Sequence, residues 1–472
     1  MTTIRLKRHK EESLLRFHPW VFSGAIDAIL PSPTQAIPPT QATTATWDAG
    51  GSPASAPQGA APTAPVSSPT DPRRISDGSR VQTRTSADGR PTVDRRSTIP
   101  SQGPEEGSLV RVVAHDGTVL GVGHWQVGSI AVRILAFRTD TLPDNFWHTR
   151  IAEAYHMRER LGLIRPDNDT FRLIHGEGDF LPGLVVDVYA DTAVVQAHSV
   201  GMHYARHDVA QALCDIVPQV RRVYYKSDDT LPFKAPVTGD KLGYLIGADA
   251  DNDADCWATE NGLLFRIDWL RGQKTGFFID QRENRALLRR YAEGKDVLNM
   301  FCYTGGFSVY ALQGGARSVT SVDVSAKAVE LVEHNVRRNF GECPRHTAVA
   351  ADAFDFLNAQ MVHDQMVHQY DLIILDPPAF AKHRDAVPNA LRGYRRLNAK
   401  ALECIRPGGI LFTFSCSQAV DKEAFRLAVF SAAAQVGRRV RILHQLHQPQ
   451  DHPINIYHPE GEYLKGLVLY VE

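Results

Sequence analysis

The six cysteines of this 472-residue chain (214, 256, 302, 343, 404 and 416) include no C-x-x-C pair and follow no regular spacing. Neither a zinc site nor a disulfide framework is implied, and each is read as a core residue unless its neighbours argue otherwise. No window approaches a membrane span. Arg5, Lys7, Arg8 and Lys10 have no apolar run behind them, which argues against a secretory signal; a cytoplasmic protein without a membrane partner is expected. A dominant charge is missing too, since 52 Lys and Arg against 53 Asp and Glu leave a net charge of −1. No global field draws a polyanion, so any nucleic-acid site has to be a local patch. From Pro31 to about Glu106 large apolar residues nearly vanish among Pro, Ser, Thr, Ala and Gly. Such a segment cannot offset its ordering entropy and is expected to be a disordered insertion. Its arginines (73, 74, 80, 84, 90, 95 and 96) suit weak, salt-sensitive RNA contact or a merely soluble linker.

What is present centres on DVLNMFCYTGGFSVYAL, Asp296 to Leu312: an apolar strand, a tight polar turn at 302–306, and helical spacing from Phe307. Glycine in such a turn lets a ligand lie against bare backbone beside the unpaired N–H groups of a helix N-terminus. Ser318 to Val322 reads as a second strand closed by Asp323, about 20 residues past the turn, where doubly wound sheets place a carboxylate against a ribose diol. G-x-G-x-x-G is absent, which argues against a pyrophosphate and for a nucleoside.

Ahead of this stretch, the HPWVFSGAI segment and three short strands between Ser108 and Phe137, with turns at Asp116-Gly117 and Gly128-Ser129, form a small β domain over 1–140, split by the insertion at 31–106. Residues 141–250 read as an α+β unit: a helix at 145–161, strands around the Ala190-Asp191 turn, a helix near 204–216 and a strand at 222–225. The acidic stretch 247–255 reads as a linker, and 258–472 as the last domain. Asn261 to Leu270 is a strand or hairpin. In TGFFIDQRENR an arginine-rich helix follows Gly276 to Gln281, with Asp280 and Glu283 suited to its N-terminal dipole and Phe277 or Phe278 available as an apolar lid or as staple aromatics. Beyond Asp323 the chain alternates: helix 325–339, strand 347–350, strand 371–375, helix 389–405, a Gly408-Gly409 turn into GILFTFSCS, helix 421–434, then strands 440–446 and 466–471 with no helix between. The expected fold is α/β, a doubly wound Rossmann-like sheet ending in an antiparallel edge hairpin.

Ligands gather at the carboxyl ends of such strands. Those ends read Cys302-Tyr303-Thr304-Gly305-Gly306, Asp323, Asp352, Asp376-Pro377-Pro378 and Ser415-Cys416-Ser417. The turn, Asp323, AADAF at 350–354 and LDPPAF at 375–380 resemble motifs of class I S-adenosylmethionine methyltransferases. Taken together, TGFFIDQRENR, NMFCYTGGFSVYA, LDPPAFAK and FSCS resemble RlmI-type bacterial 23S rRNA cytosine-5 methyltransferases, over the whole chain except 31–106. HPWVFSGAI and the three strands are similar to that family's PUA domain, and FRLIHGEGDFLPGLVVDVY to its central domain.

The resemblance implies S-adenosyl-L-methionine as cofactor, held by Asn299, Phe301, Tyr303, Thr304, Gly305, Gly306, Asp323, Asp352, Asp376, Phe278, Gln281 and Arg282. It implies 23S rRNA or a large-subunit precursor as partner, touched by Pro377, Pro378 and Phe380. Arg5, Lys7 and Arg8 are candidate phosphate partners, though a charge run is by default simply solvated. Cytosine C5 is a poor nucleophile, so this class adds a thiolate to C6. Cys416 is the candidate catalytic thiol, with Cys302 competing from the cofactor turn, and Asp376 would bind the base edge at the N4 amine. Many relatives of this chemistry carry a second cysteine after the motif IV proline; here that place is Ala379, so the group that removes the C5 proton has no assignment. No metal is implied, and a homodimer is left open. The alternatives are guanine N-methylation, which needs no nucleophile, and an inactive RNA-binding assembly factor.

Overall fold

The computed structural model describes residues 1–31, 103–232, 237–247, 256–359, 361–362, 365–366, 369–381 and 383–472. The insertion expected at 31–106 and the linker expected at 247–255 lie almost wholly outside the described residues.

The first sheet has six strands: β1 (Thr2–Leu6), then after the short helix α1 (Glu12–Leu15), β2 (Trp20–Phe22), β3 (Ile26–Leu30), β4 (Leu109–Val113), β5 (Val119–Trp125) and β6 (Ile130–Phe137), ordered β2-β6-β5-β4-β1-β3. The basic start was not expected to be a strand, yet its alternation buries Ile4 and Leu6 completely while Arg5 faces outward. β1 runs parallel to β4 and antiparallel to β3, joining the chain on either side of the insertion in one sheet.

The central unit comprises α2 (Phe146–Arg160), β7 (Thr170–His175), β8 (Leu184–Tyr189), β9 (Thr192–Ala197), α3 (Val200–Tyr204), α4 (Arg206–Ile216), β10 (Arg222–Lys226) and β11 (Leu242–Ile246), with sheet order β11-β10-β9-β8-β7. Its core sets Phe171, Leu173, Val186, Val188 and Val195 against Ile151, Val209 and Leu213 of the helices.

A hairpin, β12 (Trp257–Glu260) and β13 (Leu263–Arg266), leads into the last unit through a turn in which Asn261 and Gly262 take φ of 50° and 78°, as a two-residue hairpin requires. After a 3-10 turn at Ile279–Gln281 come α5 (Arg282–Arg289), β14 (Asp296–Met300), α6 (Gly306–Gln313), β15 (Ser318–Asp323), α7 (Ala326–Phe340), β16 (His346–Ala350) and α8 (Ala353–Ala359). There follow a minimal hairpin, β17 (Met361–Val362) with β18 (Gln365–Met366), then β19 (Tyr370–Leu375), α9 (Val387–Cys404), β20 (Ile405–Ser415), α10 (Lys422–Val436), β21 (Val440–His447) and β22 (Lys465–Val471). The seven-stranded sheet runs β16-β15-β14-β19-β20-β22-β21, with β22 inserted antiparallel between β20 and β21. Both faces are covered: Val297, Ile374, Phe412 and Phe414 pack with α5 and α6, and Leu298, Met300, Ile373, Leu375 and Leu411 with α9 and α10. That burial explains the unbroken apolar runs. The Gly408-Gly409 turn is instead a bulge inside β20, because Ile405 already pairs with Tyr370 and Ile410 with Leu372. Strand order reverses between β14 and β19, which opens a crevice at their carboxyl ends.

Candidate active site

The turn after β14 is held in an uncommon conformation. Phe301, Tyr303 and Gly305 have φ of 58°, 46° and 81°; each non-glycine there costs on the order of 1–3 kcal/mol and persists only where its surroundings enforce it. Here the enforcement is visible. The Cys302 amide donates to the Val322 carbonyl (3.1 Å), that of Tyr303 to Asp323 Oδ2 (2.9 Å), and Asn335 Nδ2 to the Thr304 carbonyl (2.8 Å). A Cβ on Gly305 would lie 2.7 Å from a Val332 methyl, and one on Gly306 3.0 Å from Arg285. Asp323 Oδ1 accepts the Ser325 amide (2.9 Å), and the exposed Asp352 caps α8 through the amides of Phe354 and Asp355 (2.8 and 3.2 Å). Of the two lid candidates, Phe278 meets the Tyr303 ring edge-on at 5.0 Å. Phe277 is a core residue under the Arg285 guanidinium (4.7 Å), which itself forms a buried two-bond pair with Glu260.

Other expected cofactor residues sit differently. Asn299 is buried and donates to Ser308 Oγ (2.8 Å), at the head of a string that continues through Ser321 to His346. Thr304 is buried beneath the turn. Arg282 is committed to a buried ion pair with Asp451 (2.8 Å) and to the Thr170 carbonyl (3.4 Å), the second bond joining the last unit to the central one.

The second cluster forms where β19 and β20, paired in parallel as Leu375 with Thr413, run out side by side. Cys416 Sγ donates to the Pro377 carbonyl (3.9 Å), Ser417 Oγ accepts the Ala381 amide (3.2 Å), and Tyr394 OH lies 2.9 and 3.0 Å from the hydroxyls of Ser415 and Ser417. These bonds bind the D-P-P loop to the FSCS segment. Pro377 is buried and Pro378 exposed, while Phe380 packs on Tyr394 with ring centres 4.6 Å apart. Burial pushes the Asp376 carboxyl up to about 7, helped by the neighbouring Asp280 carboxylate and opposed by Gln281 and Arg285. Burial, Asp376 and Asp280 push the Cys416 thiol up to about 12, with Lys465 pulling the other way. At rest the sulfur is therefore a thiol rather than a thiolate. Cys302 is buried and its thiol is raised by burial and by Asp323; it is the less open of the two.

Three residues of this cluster escaped the sequence reading or were undervalued by it. Asp280 was read only as an acid at a helix start, yet its Oδ2 accepts from Tyr463 OH (2.6 Å). Lys465, buried and lowered by that burial to about 8, donates to the Ser417 carbonyl (2.7 Å). The signal for Tyr463 and Lys465 is the pairing of Lys465 with Ser415, which no local pattern reveals.

Of the cations expected to bind phosphate, Arg5 donates to Asp27 (3.0 Å) and Lys7 to the Gly24 carbonyl (2.9 Å), which ties β1 to the segment before β3; Arg8 is exposed. Among the described residues one trio, His18, His458 and Glu460, brings its possible ligand atoms within 4.8 Å of one another. His18 Nδ1 is taken by the Trp20 amide hydrogen (3.2 Å), and its Nε2 stands 3.7 Å from Glu460.

A nucleoside-bearing cofactor fits this crevice. Bare backbone at Gly305, carboxylates at Asp323 and Asp352, and the buried Gln281 amide are the groups that a ribose, a base and a charged tail would engage. Comparison with known proteins agrees. The S-adenosylmethionine-dependent methyltransferase family model matches residues 247–456, and a PUA-like domain model matches 83–137. Ribosomal RNA large subunit methyltransferase I of Tolumonas auensis is 34% identical over 470 residues, covering 99% of each chain. The proteins of that name from Alteromonas mediterranea and Shewanella amazonensis are 40% and 39% identical, over 77% of this chain and 89% and 91% of theirs. Among solved structures, SMU.776, described as a methyltransferase and complexed with SAH, superposes with a TM-score of 0.67 at 23% identity, over 78% of this chain and 92% of that one. No helix among the described residues is long and apolar enough to cross a membrane. With S-adenosylmethionine as its cofactor and a PUA-like domain in its N-terminal part, the chain belongs to the ribosomal RNA large subunit methyltransferase I family.

Proposed function

We propose that the protein methylates large-subunit ribosomal RNA, forming 5-methylcytidine in 23S rRNA through a covalent adduct of Cys416 with cytosine C6. The observation that carries this reading is the meeting of Cys416 and Asp376 at adjacent strand ends, tied by the bond from Cys416 to the Pro377 carbonyl. S-adenosylmethionine supplies an electrophilic methyl group. The protein's own residues have to make C5 nucleophilic. A carboxyl with its midpoint near 7 is partly protonated at working pH, so it offers one acceptor and one donor, matching the N4 amine and the N3 lone pair of cytosine. A hydrogen bond from the protonated carboxyl to N3 polarises the ring for attack at C6, and while Asp376 keeps that proton it lacks the charge that helps hold Cys416 protonated. The base has to be flipped or unpaired to reach this site. In this reading the 1–140 and 141–250 units hold RNA by shape and phosphate contacts while 258–472 carries out the transfer.

The test is nucleoside mass spectrometry on unmodified 23S rRNA incubated with S-adenosylmethionine and either wild type or Cys416→Ala. We expect 5-methylcytidine with wild type only. The high resting midpoint of the thiol favours a second reading, N-methylation of guanine without an adduct. A methylated guanine made by both proteins would establish that one instead.

A further inference from the structure

Ala379 stands where a second thiol would, so the adduct, once methylated at C5, has no assigned group to take the C5 proton. We propose that Asp280 is that base and that Tyr463 positions it; the proposal rests on the covalent cytosine reading above. Around the pyrimidine ring C5 lies between C4, whose amine faces Asp376, and C6, where Cys416 adds. The acceptor therefore has to sit near both side chains. Asp280 meets this condition from two directions. Its carboxylate is a neighbouring charge felt by both Asp376 and Cys416. It is also tied to the corner where Cys416 stands: Tyr463, which donates to its Oδ2 at 2.6 Å, lies two residues before Lys465, and Lys465 pairs with Ser415 in the β20–β22 ladder and reaches the Ser417 carbonyl at 2.7 Å. The half-buried side chain keeps Oδ1 for the proton.

The step balances without an outside reagent. The C5–H bond breaks and its electron pair becomes the C5=C6 double bond; the C6–S bond breaks and its pair returns to sulfur as thiolate; the proton passes to Asp280. Lys465 faces the thiolate so released, and its ammonium stabilises it.

The experiment uses full-length protein, S-adenosylmethionine and 23S rRNA carrying tritium at cytidine C5, with tritium release and a denaturing gel as readouts. For Asp280→Asn we expect release slowed by roughly 100-fold or more, the scale of general-base loss, with a methyl-donor-dependent protein–RNA adduct persisting on the gel. For Tyr463→Phe we expect slowing of about 10-fold at unchanged adduct formation. Calorimetric binding of S-adenosylmethionine by each variant checks the fold. Release at the wild-type rate by Asp280→Asn overturns the proposal, as does lost release without adduct in a variant that still binds the cofactor. Wild type that methylates rRNA without releasing tritium would instead overturn the cytosine-C5 reading.

Discussion

Burial of Asp376 makes stability depend on pH. Its native midpoint of about 7 lies above the ordinary 3.8, so between these values the native state holds a proton that the unfolded chain has released. Stability then falls as pH rises through that window, by on the order of a few kcal/mol. Asp376→Asn should remove this slope. Its melting temperature relative to wild type should climb from pH 5 to pH 8, while methyl transfer drops by roughly 100-fold or more. Parallel melting curves for the two proteins across pH would refute the assignment. The residue types at the strand ends were legible in sequence because each follows an apolar run directly. The shift of Asp376 was not, since it comes first from burial in the folded chain and then from Asp280, with Gln281 and Arg285 opposing, all three about 90 positions earlier in the chain.

At the scale of elements, the glycine turn is the most constrained feature. Gly305→Ala meets both a φ of 81° and a Val332 methyl at 2.7 Å. We expect a loss of about 1–3 kcal/mol in stability and at least 10-fold weaker cofactor binding by calorimetry, because α7 has to retreat or the turn has to open. The pattern of strand, turn and helix was readable from periodicity alone. What the turn rests on was not: Asn335 and Val332 reach it from α7, some 30 residues on. Likewise the alternation of Ile4 and Leu6 makes β1 a strand only because β3 and β4 flank it, the latter from beyond the insertion. Its basic residues drew attention from that pattern, and the sheet has taken Arg5 and Lys7 into its own bonds.

Across the whole molecule, Asp451 joins the last unit to the central one. Its carboxylate takes Arg282 at 2.8 Å, the Arg172 amide at 3.0 Å and His452 at 3.0 Å, and its carbonyl takes Arg158 at 2.9 Å. Arg282 and His452 hold the Asp451 carboxyl well below the carboxylate range despite its burial. Its contribution is thus present above the ordinary carboxylate midpoint and is lost as pH falls toward the depressed native one. Asp451→Ala leaves Arg282 charged and buried, so a loss of about 3–5 kcal/mol in urea or thermal unfolding is expected near neutrality, narrowing in acid. An unfolding midpoint equal to wild type at pH 7 would show that the pair adds nothing. The sequence by itself determined the alternation of strands and helices that makes the doubly wound sheet and which residue types stand at its strand ends, because these follow from local periodicity and glycine placement. Only the tertiary structure decided which distant groups meet: that Arg282 serves a junction, that Phe278 rather than Phe277 faces the turn, that Tyr463 bonds Asp280 and that Lys465 reaches the Ser417 carbonyl beside Cys416. Burial and Coulomb interaction depend on distance in space, and chain separation carries almost none of that information.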